Sequence, residues 1–209
     1  MKYHHSIIKK ISFMKKILLL LVTILLLQEA MLAQNTWTGS TSTNWSTGTN
    51  WNTGHAPTAS EDVIISASVN QPLISTAGAV ARTVLVQSGT TLTISSAGSL
   101  AVNGGSNIAF FNAGTVDNSG QLLIGNLSGS GNYGLRNDAT FNNNTGGQIT
   151  IDNISVYGLY NAGGTFTNAA IINIGAVAGA GIYGLANFAT FNNNTGGHIT
   201  NTASPKVCR

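Results

Sequence analysis

Charge is what this sequence has least of: Asp, Glu, Lys and Arg make up 7% of 209 residues, against about a quarter in an ordinary globular chain. Beyond residue 33 there are four cations (Arg82, Arg136, Lys206, Arg209) and five anions (Glu61, Asp62, Asp117, Asp138, Asp152), a net of −1. The basic balance of the whole chain therefore sits in its first residues, and nucleic acid is not an implied partner. Cysteine occurs once, at Cys208, which excludes an internal disulfide framework.

The same scarcity bears on catalysis. Polysaccharide cleavage needs paired carboxylates or an acidic calcium cluster. Glu61 and Asp62 are the one adjacent acidic pair, and neighbours in a strand point to opposite faces. No Ser/His/Asp set, Cys/His cluster or phosphate-cradling loop can be assembled. His198 stands where Gln148 stands in a sister copy, so it reads as a variable outward position. The expectation is a non-enzyme with no cofactor and no metal site.

Long hydrophobic runs are also missing, with one exception. Residues 17–27 are apolar save for Thr23, follow Lys15 and Lys16, and lead through residues 28–33 to Ala33. A basic region, an apolar region and a small residue at the cut form a secretory signal peptide over residues 1–33. Eleven residues in helix would cover roughly half of a ~30 Å hydrocarbon core, so no membrane span is expected in the mature chain. The mature N-terminus is expected at Gln34, and either Met1 or Met14 serves as the start.

What the sequence has in abundance is glycine, 25 residues, and a repeat. Residues 133–150 return as 183–200 with three of eighteen positions changed; looser copies begin at Tyr157 and Ile108. The asparagines shared by all four, Asn112, Asn137, Asn161 and Asn187, set unit lengths of 25, 24 and 26 residues. A period in this range marks a solenoid, whose units bury their apolar faces only by stacking. Each unit also keeps a large apolar residue at one phase: Phe110, Leu135, Leu159, Leu185.

Between Glu61 and Asn103 the text consists of short β-branched runs bounded by Gly, Ser, Asn or Pro: 63–66, 73–75, 83–87, 91–95 and 100–103. Three such strands with their turns use about 25 residues, so each unit makes one coil of a parallel β-helix, with equivalent strands ~4.8 Å apart. Leu122/Ile124, Ile149/Ile151 and Ile172/Ile174 then stack as aliphatic columns. The fold class expected is all-β, a right-handed parallel β-helix behind a signal peptide. Its parts are a Trp/Asn/Gly-rich cap at 34–60, repeats at 61–200, and an irregular tail at 201–209 that reads as a truncation.

Two sets of residues stand out as candidate sites. The recurring asparagines suit a turn, where Asn tolerates left-handed backbone and its amide can bond to the copies above and below. Trp37, Trp45 and Trp51 admit two readings. They form a sugar-stacking platform that binds a ligand, or they plug the open first coil, whose terminal unit must be atypical.

Trp37-Thr-Gly, Asn44-Trp45, Gly48-Thr-Asn-Trp51, Ala56-Pro57, Asp62-Val-Ile-Ile and Asn70-Gln-Pro72, followed by strand-rich text at 89–94, resemble the N-terminal regions of large secreted, repeat-bearing surface proteins of Bacteroidota-type bacteria. That resemblance covers residues 36 to about 105. It implies a β-helix of the adhesin and autotransporter-passenger kind, upstream of a sorting domain that the sequence after Thr200 does not contain. The function expected is a secreted or surface-displayed adhesin-like module that presents a long, polar, Asn/Thr-lined face, whose partner is extracellular polysaccharide or another cell surface, with self-association through an uncapped last coil. A fragment of a β-helix polysaccharide lyase or glycoside hydrolase, and a structural spacer, are the alternatives.

Overall fold

The computed structural model describes residues 15–16, 34–105, 107–125, 132–175 and 183–202. The chain divides into residues 1–33 and 34–209. In the first unit only Lys15 and Lys16, both helical, are described; the rest of the signal segment, both start sites and the tail beyond Thr202 with Cys208 lie outside the described residues.

The second unit is a parallel β-solenoid of about six turns. It opens with a lone strand, β1 (Gln34–Trp37), inside the segment read as a cap. Six coils follow, each of three short strands: β2 (Asp62–Ile65), β3 (Leu73–Ile74) and β4 (Ala79–Ala81); β5 (Thr83–Val86), β6 (Thr91–Ile94) and β7 (Ser99–Val102); β8 (Ile108–Asn112), β9 (Thr115–Asn118) and β10 (Gln121–Ile124). The repeat proper supplies β11 (Tyr133–Asn137), β12 (Thr140–Asn143) and β13 (Gln148–Ile151); β14 (Tyr157–Asn161), β15 (Thr165–Asn168) and β16 (Ile171–Ile174); β17 (Tyr183–Asn187), β18 (Thr190–Asn193) and β19 (His198–Asn201). Strands anticipated from β-branched runs fall within a residue or so of β2, β3, β5, β6 and β7. The short β4 escaped notice because Ala-Val-Ala carries one β-branched residue.

Equivalent strands stack into three parallel sheets. The first is β1-β2-β5-β8-β11-β14-β17, the second β3-β6-β9-β12-β15-β18, the third β4-β7-β10-β13-β16-β19. Strands of four residues alternate outward and inward, so each sends two side chains to the core. In the third sheet Leu100, Leu122, Ile149, Ile172 and Ile199 align in one column, and Val102, Ile124, Ile151 and Ile174 in the next. In the second, Phe141, Phe166 and Phe191 stack at 4.7 and 5.1 Å with their rings nearly parallel.

The inward corner of each coil changes chemistry part way along. In the first sheet Ile65 and Val86 occupy the column that continues as Asn112, Asn137, Asn161 and Asn187. In the second, Ile74 and Ile94 precede Asn118, Asn143, Asn168 and Asn193. An aliphatic corner needs only volume, whereas a buried amide needs partners on both sides.

Candidate functional site

The three tryptophans stand together at the start of the solenoid. Trp51 lies edge-on to both Trp37, at 5.0 Å, and Trp45, at 4.7 Å. Two of the indole N–H groups are also engaged: Trp51 Nε1 donates to Trp45 O at 2.8 Å, and Trp37 Nε1 to Asn70 O at 2.7 Å. Asn50 sits buried among the same loops, accepting from the backbone N–H of Thr41 and Ser42 and donating to Asn44 O. Trp37, Trp45 and Trp51 are 0%, 2% and 3% exposed, so no ring face is presented on which a sugar could stack. They cover the first coil and join it to the continuous core.

The asparagine columns are amide ladders. Asn112 Nδ2 donates to Asn137 Oδ1 at 2.8 Å, Asn137 to Asn161 at 2.8 Å, and Asn161 to Asn187 at 2.7 Å. A second ladder, missed in the sequence although its members also recur every 25 residues, runs Asn118, Asn143, Asn168, Asn193 at 2.8, 2.7 and 2.8 Å. Each ladder closes on backbone at both ends. Gly114 N and Gly120 N donate to the first members, and the last donate to Ala189 O and Gly197 O.

Two expectations about these asparagines are corrected by the geometry. They do not adopt left-handed backbone: each is the last residue of an extended strand, and among the described residues Asn153 is the one non-glycine with positive φ. The turn after Asn143, repeated after Asn193, is made instead by two glycines. Gly146 takes φ +87°, and a Cβ on Gly147 would collide with the Asn143 side-chain oxygen and lie 2.7 Å from Asn118 O. Nor do the asparagines line a presented face, since Asn112, Asn137 and Asn161 are fully buried.

The acidic residues are individually occupied. Glu61 is buried, accepts from Thr58 N at 2.7 Å and lies 3.6 Å from His55 Nε2. Asp62 takes Arg82 and Thr83. Asp117 accepts from Asn142 at 2.8 Å, and Asp138 holds Arg136 through two bonds of 2.8 and 2.7 Å. The Asp138 hydrogen bond raises Arg136 above the ordinary arginine value, partly opposed by desolvation. Among the described residues no three of His, Cys, Asp and Glu gather as a metal site would require.

The outside of the solenoid is not uniform. On the second sheet Thr91, Thr115, Thr140, Thr165 and Thr190 align in one outward column. On the first sheet each of β8, β11, β14 and β17 carries at least one aromatic at an outward position. Tyr133, Tyr157 and Tyr183 stack in register, with centroids 5.2 and 5.0 Å apart and rings 8° and 17° from parallel. Beside them runs the column Phe111, Arg136, Tyr160, Ala186. Tyr160 meets Tyr133 at 62° and Tyr157 at 56°, and Phe188 folds over Ala186 to reach it at 5.4 Å. The Arg136 guanidinium lies 5.2 Å above the Phe111 ring.

All four tyrosines after residue 33 belong to this strip, and Phe188 is 64% exposed within it. It is not among the candidate sites read from the sequence. The signal was present: in the two near-identical copies, two of the three changed positions, Arg136/Ala186 and Asp138/Phe188, fall on it.

Comparison with known proteins touches part of this architecture. No curated protein and no solved structure matches the chain. Residues 36–139, which run from β1 through β11 and carry the Phe111, Tyr133, Arg136 and Asp138 end of the strip, match a family model described as a domain of unknown function, DUF8693.

Proposed function

We propose that the chain is a secreted or surface-displayed, adhesin-like module that binds a repetitive extracellular partner without acting on it chemically. The observation that carries this reading is the outward aromatic strip: large side chains held at successive heights by hydrogen-bonded strands. Aromatic side chains repeated at regular height offer repeated contacts, and repeated weak contacts in register sum to avidity. Export is supported by the leader-like residues 1–33, and the surface setting by the resemblance to repeat-bearing surface proteins. The scattered, individually satisfied carboxylates fit a non-enzyme better than a glycan-cleaving one.

The test is a glycan array run beside a reducing-sugar assay on the purified protein. Binding without cleavage is expected; cleavage would make this a β-helix enzyme, and silence in both would leave a spacer. Sequencing the N-terminus of secreted material is expected to return Gln34.

A further inference from the structure

We propose that the outer face of the first sheet between β8 and β17 is a carbohydrate-binding site for a neutral, linear polysaccharide lying along the direction in which the coils stack. This rests on the adhesive reading and specifies its site and ligand class. The first argument is size. The strip spans four strands ~4.8 Å apart and three residues at ~3.3 Å, on the order of 150–200 Å², whereas a stable protein interface needs roughly 800 Å² from each partner. It suits a chain, not a folded domain or a second copy.

The second argument separates glycan from peptide. An extended peptide is captured by adding a strand to a free sheet edge. Of the strip's strands β8, β11 and β14 are paired on both sides and β17 alone ends the sheet among the described residues, so at Tyr133, Tyr157 and Tyr160 recognition falls to side chains. The third concerns charge. The strip's one cation, Arg136, is held by both oxygens of Asp138, so it offers no unpaired positive charge to an acidic polymer.

The rings also divide the work. Tyr133, Tyr157 and Tyr183 use their faces on one another and turn their edges outward, giving a step of 5.0–5.2 Å along the stack. Tyr160 is inclined to that column and supports Phe188, which lies at 46° to it and is exposed, offering a ring face against which the apolar face of a pyranose can pack.

Titration calorimetry of the purified protein with cellohexaose, chitohexaose, laminarihexaose and mannohexaose, and with alginate and heparin as anionic probes, tests this. At least one neutral hexasaccharide is expected to bind. Phe188→Ala and Tyr160→Ala should each weaken it at least tenfold, whereas Thr140→Ala on the second sheet should leave it unchanged. The double variant Ala186→Arg/Phe188→Asp installs the ion pair that the sister copy already carries at 136 and 138, so it should keep the fold while losing affinity. Binding untouched by these strip variants, or a preference for alginate or heparin, would overturn the site and leave adhesion standing. Silence toward every glycan together with no retention on immobilised mucin or fibronectin would overturn both.

Discussion

Residues 133–150 and 183–200 are the same eighteen residues but for three, yet they live in different surroundings. In the first copy Leu135, Phe141 and Ile149 are fully buried; in the second Leu185, Phe191 and Ile199 are only partly so. Asn143 is 1% exposed, while its counterpart Asn193 is exposed. The backbone is the same in both, down to Gly146 and Gly196 at φ +87° and +88°. The difference is neighbours. Strands β11, β12 and β13 are flanked on both sides, whereas β17, β18 and β19 end their sheets among the described residues. Local structure follows the sequence of one unit; burial follows the stack, as a nearest-neighbour account of solenoids requires.

The strongest way to break this comparison is to remove the same ring from each copy. Phe141→Ala should cost about 3–5 kcal/mol, since it opens a cavity between Phe110 and Phe166, whereas Phe191→Ala should cost about 1–2 kcal/mol. Urea unfolding of the two variants measures this, and equal losses would show that burial does not follow the stack.

The ladders give the next effect. Asn137→Val in mid-ladder leaves Asn161 Oδ1 without its donor and should cost about 2–3 kcal/mol. Asn187→Val, at the ladder's end, should cost less than about 1 kcal/mol. Replacing Asn112, Asn137, Asn161 and Asn187 together by Val should cost less than the four single losses summed. Both partners of each bond are then apolar, as Ile65 and Val86 already are in that column. A simple sum in thermal denaturation would mean the rungs act independently.

The turn should treat the copies alike. Gly146→Ala and Gly196→Ala each force an alanine into left-handed backbone, at about 1 kcal/mol in either copy, because the strain is local. Melting temperatures lowered by different amounts would show that the stack tightens the turn.

The smallest effect is expected at the positions that differ. Breaking the partly exposed Arg136–Asp138 pair by Asp138→Ala should change stability by less than about 1 kcal/mol, with that change shrinking in high salt. Asp138 raises the pKa of Arg136, so the pair's contribution through arginine is complete below the ordinary arginine value and is lost only above it. Unfolding followed across neutral and mildly alkaline pH should therefore show no step from this residue.

Much of the architecture was legible because a repeat writes each stacking interaction several times over. The recurrence of Asn112, Asn137, Asn161 and Asn187 placed one residue of each coil at the same height, and Leu122/Ile124 with its counterparts marked the third sheet's inner face. The second ladder was equally periodic but hidden among consecutive asparagines at 142–144 and 192–194, of which only one points inward. The candidate site was less legible. Tyr160 and Phe188 occupy different places in their units, three and five residues after the unit's first tyrosine. They meet only because Phe188 crosses Ala186, a contact that no one-dimensional period records.

The sequence by itself determined that the chain would coil about every 25 residues, which side chains would stack on their own copies, and that amides would recur at one corner. Those properties are set by spacing and by β-strand alternation, which are local. Only the tertiary structure decided that the tryptophans close the first coil instead of facing solvent, that the asparagines point inward from extended strands, and that Tyr160 and Phe188, from different places in their units, meet on one outer face. The tryptophans depend on loops folding back over the first coil. The ladders and the strip depend on which coil lies beside which, and therefore on side chains more than twenty residues apart in the chain coming within hydrogen-bonding or ring-contact distance.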